Sequence, residues 1–441
     1  MELGNFQFEA ATKLKNYSKK LKERGISSGK SAYTFIATWG DNLGFEHLKY
    51  RVLRISNFKN FFVIFLKDLF FTFTTHSYQI LSKSKIGDQK KIIFSNATLK
   101  DFKVDGSYID RYFKINSNNY KDFFFILIYS DIELPKKIDK NLVLICRKKN
   151  SILKGLLIFF SKLMRFKIKK NFFHSFSAST SISEKTLLIT NKLIDFKKID
   201  KIILPYEGIP FQQELFLEAK KINPKIKTIG YDHSAPHAVP FHLLYRDGSP
   251  DLLMINGESQ KKYLVKYLDW NENKIKLVPS LRYNKYSEEN FDSLVFFPWK
   301  IINEKKILLN LESFLKNSEP NSINFLKVKT HPVSVDEKKQ LLLKKQIENL
   351  FNIYKDKFGA DNKKTSIFIG STTGIIVALE KDINVIHICF DPLFEAYSEK
   401  MWPQIKVTNI YDNTFVYNLK KKNSFIQFGE GGSSFSDYYD I

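Results

Sequence analysis

Seven residues in a row, Phe123 to Tyr129 (FFFILIY), are apolar or aromatic, and runs of this kind recur along the chain. A strand with one face in water alternates polar and apolar side chains, so an unbroken run must be covered on both faces. Further runs stand at AYTFIAT (32–38), KIIFS (91–95), NLVLICR (141–147), TLLIT (186–190), KIILPY (201–206), IKTIGY (226–231), DLLMIN (251–256) and KIKLVP (274–279). Polar stretches of helical length separate them, after a lysine-rich helix expected over 9–25. Buried strands alternating with helices predict a parallel sheet and an α/β fold.

After an irregular stretch, 284–299, the pattern restarts with KILLNL (306–311), NFLKVKT (324–330), SIFIG (366–370), VIHICF (385–390) and KVTNIY (406–411), and a helix is expected over 336–358. This second series predicts a second parallel α/β domain. The expected architecture is two Rossmann-like domains facing a cleft, 1–282 and 283–428, followed by a mobile Gly- and Ser-rich tail over 429–441. Open parallel sheets bind ligands at the carboxyl ends of their strands, so the polar residues at those ends are the candidates for function.

Of the 441 residues, 43% are hydrophobic, which excludes a disordered chain. The net charge of +24 favours anionic partners: nucleic acid, phosphorylated substrates or an anionic membrane surface. Only eight of the 70 basic residues are arginine, against the bidentate chemistry of base and phosphate readout, so no nucleic-acid partner is expected. Two cysteines, Cys146 and Cys389, cannot build a disulfide framework. The opening residues lack a basic segment followed by an apolar core, and no apolar run reaches the roughly 20 residues that span a bilayer. A cytoplasmic protein is expected. The segment 155–170 (GLLIFFSKLMRFKIKK) joins an apolar half to a basic one, a composition suited either to a core helix with a solvated end or to a peripheral contact with the inner face of an anionic membrane.

Four strand ends carry chemistry. NFLKVKT delivers Lys329 and His331, with Pro332 ending the strand, and such a histidine can hold a phosphate oxygen. SIFIG runs into Gly370, Ser371, Thr372 and Thr373 at a helix N-terminus, an arrangement that binds anions but also simply caps helices. Glu380 follows on that helix, placed either to reach ribose hydroxyls or to stand solvated on the helix face. KIILPY leads to Glu207, a candidate general base or a helix cap, and IKTIGY leads to Asp232, His233 and His237. His233 is a second candidate base or a buried structural residue. No HxxxH pair, Walker loop, GxGxxG, GxSxG or CxxC is present, so neither a metal nor a bound cofactor is expected.

The YEG at 206–208, the HP at 331–332 and the STT at 371–373 resemble the acidic-Gly, HP and Ser/Thr motifs of bacterial sialyltransferase-like and polysialyltransferase-like enzymes. TIGYDHSAPHAVPFHLLY, PDLLMINGESQKKYL and VPSLRY are similar to surface-carbohydrate glycosyltransferases of the GT-B fold, and the likeness covers about 186–395. It implies an acceptor-side N-terminal domain and a nucleotide-sugar-binding C-terminal domain. It further implies transfer from a CMP-activated acid sugar onto a glycan or glycolipid of capsule or lipopolysaccharide, without a metal. Glu207 would be the base, with His233 the alternative because Tyr206 stands where the family has a second acid. Lys329, His331, Gly370, Ser371, Thr372, Thr373 and Glu380 would hold the donor, and Asp232, His237 and Arg282 the acceptor. CDP-glycerol-type polyol-phosphate transferases and UDP-sugar glycosyltransferases share enough of this pattern to stand as alternatives. The first 150 residues carry no motif and are expected to shape the acceptor site.

Overall fold

The computed structural model describes residues 2–23, 77–81, 90–148 apart from 116–119 and 132, and 190–438 apart from 285–290, 299–300, 302, 332–336, 360–363, 412 and 431–432, with isolated positions at 66, 153, 156 and 157. One sheet contains β1 (Ser77–Ile80), β2 (Lys91–Ala97), β3 (Phe123–Tyr129), β4 (Leu142–Lys148), β5 (Lys201–Pro205), β6 (Lys227–Tyr231), β7 (Leu252–Ile255) and β8 (Ile275–Leu277). Its order is β1-β4-β3-β2-β5-β6-β7-β8, and every neighbouring pair is parallel except β1 with β4.

The unbroken apolar runs follow from this placement. All seven residues of β3 are buried. Phe124, Ile126 and Ile128 enter one core with Phe94, Leu204 and Leu215, while Phe123, Phe125, Leu127 and Tyr129 enter another with Tyr108, Phe113 and Phe435. The first face is covered by α1 (Leu3–Glu23), α2 (Pro210–Ile222) and α3 (Glu258–Tyr267). The second is covered, among the described residues, by the irregular residues 98–122 and the end of the chain.

The second sheet holds β10 (Leu294–Phe296), β11 (Lys327–Lys329), β12 (Thr365–Ile369), β13 (Asn384–Ile388), β14 (Ile405–Tyr411) and β15 (Thr414–Leu419), in the order β11-β10-β12-β13-β15-β14. The first four strands are parallel, and β14 and β15 form an antiparallel hairpin on the β13 edge. Around it lie α4 (Glu304–Asn317), α5 (Glu337–Ile353), α6 (Gly374–Glu380) and α7 (Pro392–Glu395). A two-stranded ribbon pairs β9 (Ser280–Asn284) with β16 (Phe428–Gly429).

Several expectations are corrected. KILLNL is not a strand but the start of α4: Asn303 accepts a hydrogen bond from the Lys306 amide at 3.0 Å, and Ile307, Leu311, Phe314 and Leu315 bury one helical stripe. The stretch read as irregular contains β10, a central strand. The second sheet is mixed rather than wholly parallel, because the KVTNIY strand turns back through β15. The Gly/Ser tail is anchored rather than mobile: Phe435 is buried, edge-on to Phe113 at 5.0 Å. Residues 190–193 are helical, and the rest of TLLIT, the AYTFIAT run and most of 155–170 lie outside the described residues; Leu156 and Leu157 are exposed.

Strand order reverses direction in both sheets. In the first, β3 and β4 lie to one side of β2 while β5 to β8 lie to the other; in the second, β11 lies to one side of β10 while β12 and β13 lie to the other. Loops on either side of such a reversal point apart and leave a crevice at the carboxyl ends of the strands.

Candidate functional site

The loop after β5 is built around Glu207. Gln212, in the first turn of α2, accepts hydrogen bonds from the Glu207 amide at 3.0 Å and the Ile209 amide at 3.2 Å and donates to the Pro205 carbonyl at 2.7 Å. Buried Arg246 donates to the Gly208 carbonyl at 2.9 Å and to Gln213 at 2.8 Å, and Gln213 donates to the Tyr206 hydroxyl at 3.1 Å. These bonds satisfy backbone groups of a tight turn that would otherwise be costly to bury. The Glu207 side chain accepts no hydrogen bond from the described residues, and although its surface remains partly accessible its densely packed surroundings raise its pKa, opposed by Arg282.

Residues from the end of β6, the β2–β3 loop and β9 join it. His233, after β6, is buried with no hydrogen-bond partner for Nδ1 among the described residues. Burial pulls its pKa down to about 3, helped by Arg282 and Arg111, so the ring is neutral. Tyr112 packs edge-on against it at 4.6 Å and feels the charges of Arg111, Glu207 and Arg282. Arg111 and Tyr112 come from the loop after β2, immediately across the reversal point from β5. Arg282, on β9, lies 5.1 Å over the Tyr283 ring. Asp232 is turned away into the fold: Gln260 donates to it at 2.6 Å and the Ser234 amide at 3.3 Å, and burial raises its pKa to about 7. Its carboxylate is held by protein donors, which does not fit the expected acceptor contact.

At the second sheet, β12 ends in Gly370, whose φ of +65° turns the chain under Phe390 and Pro298. His387 donates from Nε2 to the Gly370 carbonyl at 2.7 Å, which leaves Nδ1 to accept from the Tyr417 hydroxyl at 3.0 Å. Thr372 accepts from the Gly374 amide at 3.2 Å, and Thr373 takes the cap position of α6 without a side-chain bond. Ser371 Oγ lies 3.4 Å from Nδ1 of His237, which the first sheet contributes. His237 was expected on the acceptor side; it instead touches the Ser/Thr loop. Tyr397 donates to the Pro236 carbonyl at 2.8 Å and Trp402 to the Ala238 carbonyl at 2.7 Å, fixing the 232–242 loop against the second half.

Lys329 ends β11 and His331 follows it, but β10 separates them from β12, so the two motifs are not on adjacent strands as expected. Two strand spacings put their chain positions about 9–10 Å apart. The His331 amide donates to Gln340 at 2.8 Å, and Gln340 donates to the Pro298 carbonyl at 2.8 Å, tying the ends of β11 and β10 together. Lys329 is exposed, its ammonium 5.7 Å over Phe296. Glu380 cannot serve a ribose as expected: its carboxylate accepts from the amides of Asn423 at 2.6 Å and Phe425 at 2.8 Å. His387, Cys389 and Glu395 bring three metal-type atoms within 4.8 Å of one another. Both nitrogens of that imidazole are engaged, and Glu395 accepts from the Phe390 amide at 2.7 Å, so the cluster is explained by packing.

Sequence reasoning missed Arg111, Tyr112, Gln212 and Arg246. The one signal for the two arginines was the scarcity of that residue: with Arg282, three of the eight lie around this crevice. No family model matches the chain, and no curated protein does.

Proposed function

We propose that this protein is a glycosyltransferase of the GT-B type, with two Rossmann-like halves, 1–282 on the acceptor side and 283–428 binding a nucleotide sugar. The observation that carries this reading is the His237–Ser371 contact at 3.4 Å, which joins the loop after β6, next to β5 in the first sheet, to the loop after β12 at the reversal of the second. A partly accessible carboxylate with a raised pKa, suited to deprotonating a hydroxyl, thus lies on the first sheet's side of that contact, and hydroxyls suited to a phosphate lie on the other.

In the proposed reaction the Glu207 carboxylate takes the proton of an acceptor hydroxyl, and that oxygen bonds to the anomeric carbon of the donor. The bond from this carbon to the nucleotide phosphate breaks, and its electron pair leaves on the phosphate. Lys329 and His331 from one strand end, and Ser371, Thr372 and Thr373 from the other, stabilise the departing charge across the width of β10. A CMP-activated acid sugar is the proposed donor, and a glycan or glycolipid of capsule or lipopolysaccharide at the inner membrane face the proposed acceptor. Among the described residues no helix is long and apolar enough to cross a membrane.

Thermal shift with CMP, CDP, UDP and GDP tests the donor, since a ligand that binds the folded state raises its melting point. CMP should give the largest shift. A response to CDP or UDP alone redirects the reading to polyol-phosphate or UDP-sugar transfer, and no response to any nucleotide rejects it.

A further inference from the structure

The crevice at the first reversal point holds more positive charge than deprotonating a hydroxyl requires. Arg282 is exposed and makes no ion pair among the described residues. Arg111 gives one nitrogen, Nη2, to Asp101 and to Thr98 and spreads its guanidinium 5.7 Å over the Tyr112 ring, leaving its remaining donors without a partner among the described residues. His233 feels the charge of both arginines and packs against Tyr112, the ring that Arg111 covers; it is buried, with Nδ1 unpartnered among the described residues. A buried polar atom without a partner is rare in a folded protein and marks a place where a ligand can complete the bonding. Two guanidinium groups acting on the same histidine select an anion, because their forked donors match the oxygens of a carboxylate or phosphate.

We infer that Arg111, Arg282 and His233 form a subsite for an anionic group carried by the acceptor, a carboxylate or a phosphate close to the attacking hydroxyl. The inference rests on the glycosyltransferase reading for the word acceptor, but not for the binding itself. Neutral His233 fits such a subsite: it donates a hydrogen bond without adding a third charge. Tyr112, packed against His233 and beneath Arg111, orients both.

The test is binding by calorimetry at about 150 mM salt, without donor, to oligosaccharides ending in a neutral hexose, a hexuronic acid or a hexose phosphate. At least one acidic terminus should bind about 10-fold or more tighter than the neutral one, and whichever does identifies the anion. Arg282→Gln should remove that preference, and because Arg282 is exposed the variant should fold. Lys316→Gln, which removes an equal charge from the end of α4, should keep it. Equal affinity for all three ligands, or loss of the preference in both variants alike, overturns the inference. The nucleotide melting shifts are an independent readout: shifts with CMP but no acid preference would reject the subsite and leave the glycosyltransferase reading standing.

Discussion

A general base must be unprotonated when the substrate arrives and strong enough to take its proton. Burial drives Glu207 and His233 in opposite directions, because it disfavours whichever form is charged. The carboxyl of Glu207 rises and becomes a stronger base, whereas the His233 imidazole falls to about 3 and is too weak to draw a proton from a hydroxyl near neutral pH. Of the two candidates the chemistry therefore favours Glu207. Glu207→Gln should lower kcat by about 100-fold or more in a folded protein. The wild-type rate should fall on acidification at a pH above the ordinary carboxylate range, since a raised carboxyl takes up its proton earlier on the way down. That acid limb should be missing from the residual activity of Glu207→Gln, and an unchanged limb would move the role to another group. Next to it, Gly208 has φ +62°, and a Cβ there would meet the His242 carbonyl oxygen at 2.0 Å. Left-handed backbone costs an ordinary residue about 1–2 kcal/mol, and the collision adds to it. Gly208→Ala should cost about 3 kcal/mol or more in urea unfolding; an unchanged midpoint would mean that the loop has room to shift.

Among the elements, legibility followed locality. The carboxyl ends of β5, β6 and β12 were readable because an apolar run followed by polar residues marks a strand end wherever it occurs, and Glu207, His233 and Ser371 stand at such ends. The insertion of β10 between β11 and β12 was not readable, because sheet order depends on long-range pairing that no local pattern carries. Arg111 and Tyr112 were hidden for a related reason: the described residues of 98–122 form loops and short turns with no periodicity to place them. KILLNL was misread because its apolar cluster fits a buried strand as well as a helix, and the deciding signals lie outside it, in Asn303 before and in Phe314 and Leu315 after. Asn303→Ala should therefore destabilise the protein by about 1 kcal/mol, the usual worth of a side-chain cap, as measured by chemical denaturation. No effect would mean that α4 is held by its buried stripe alone.

Across the whole molecule, two segments cross between the sheets in opposite directions. Helix α1 belongs to the start of the chain, yet Gln7 donates to the Ala396 carbonyl at 2.8 Å and accepts from Ser398 at 2.6 Å, while Lys15 pairs with Asp269 at 3.1 Å beside the first sheet. The end of the chain runs the other way. Glu380 holds the amides of Asn423 and Phe425, the Gln427 amide then donates to Asn256 at 2.7 Å and the Phe435 amide to Phe113 at 2.9 Å. Through the second crossing, residues expected to be a loose tail complete the core behind β3, and the Tyr231 ring lies 6.4 Å from Phe435. Relative motion of the two halves would therefore act on these crossing contacts as well as on the segment that joins the sheets. The final prediction separates an anchored tail from a loose one. Phe435→Ala should cost about 3–5 kcal/mol in chemical denaturation, the range for a fully buried phenylalanine, whereas a freely moving tail would change stability by less than about 0.5 kcal/mol. The same variant should leave the Glu207 turn bonded, because Gln212 and Arg246 hold it from the opposite face of the sheet. Loss of stability with nucleotide binding retained is the expected pair of results; a stability unchanged from wild type would return the last residues to the solvent.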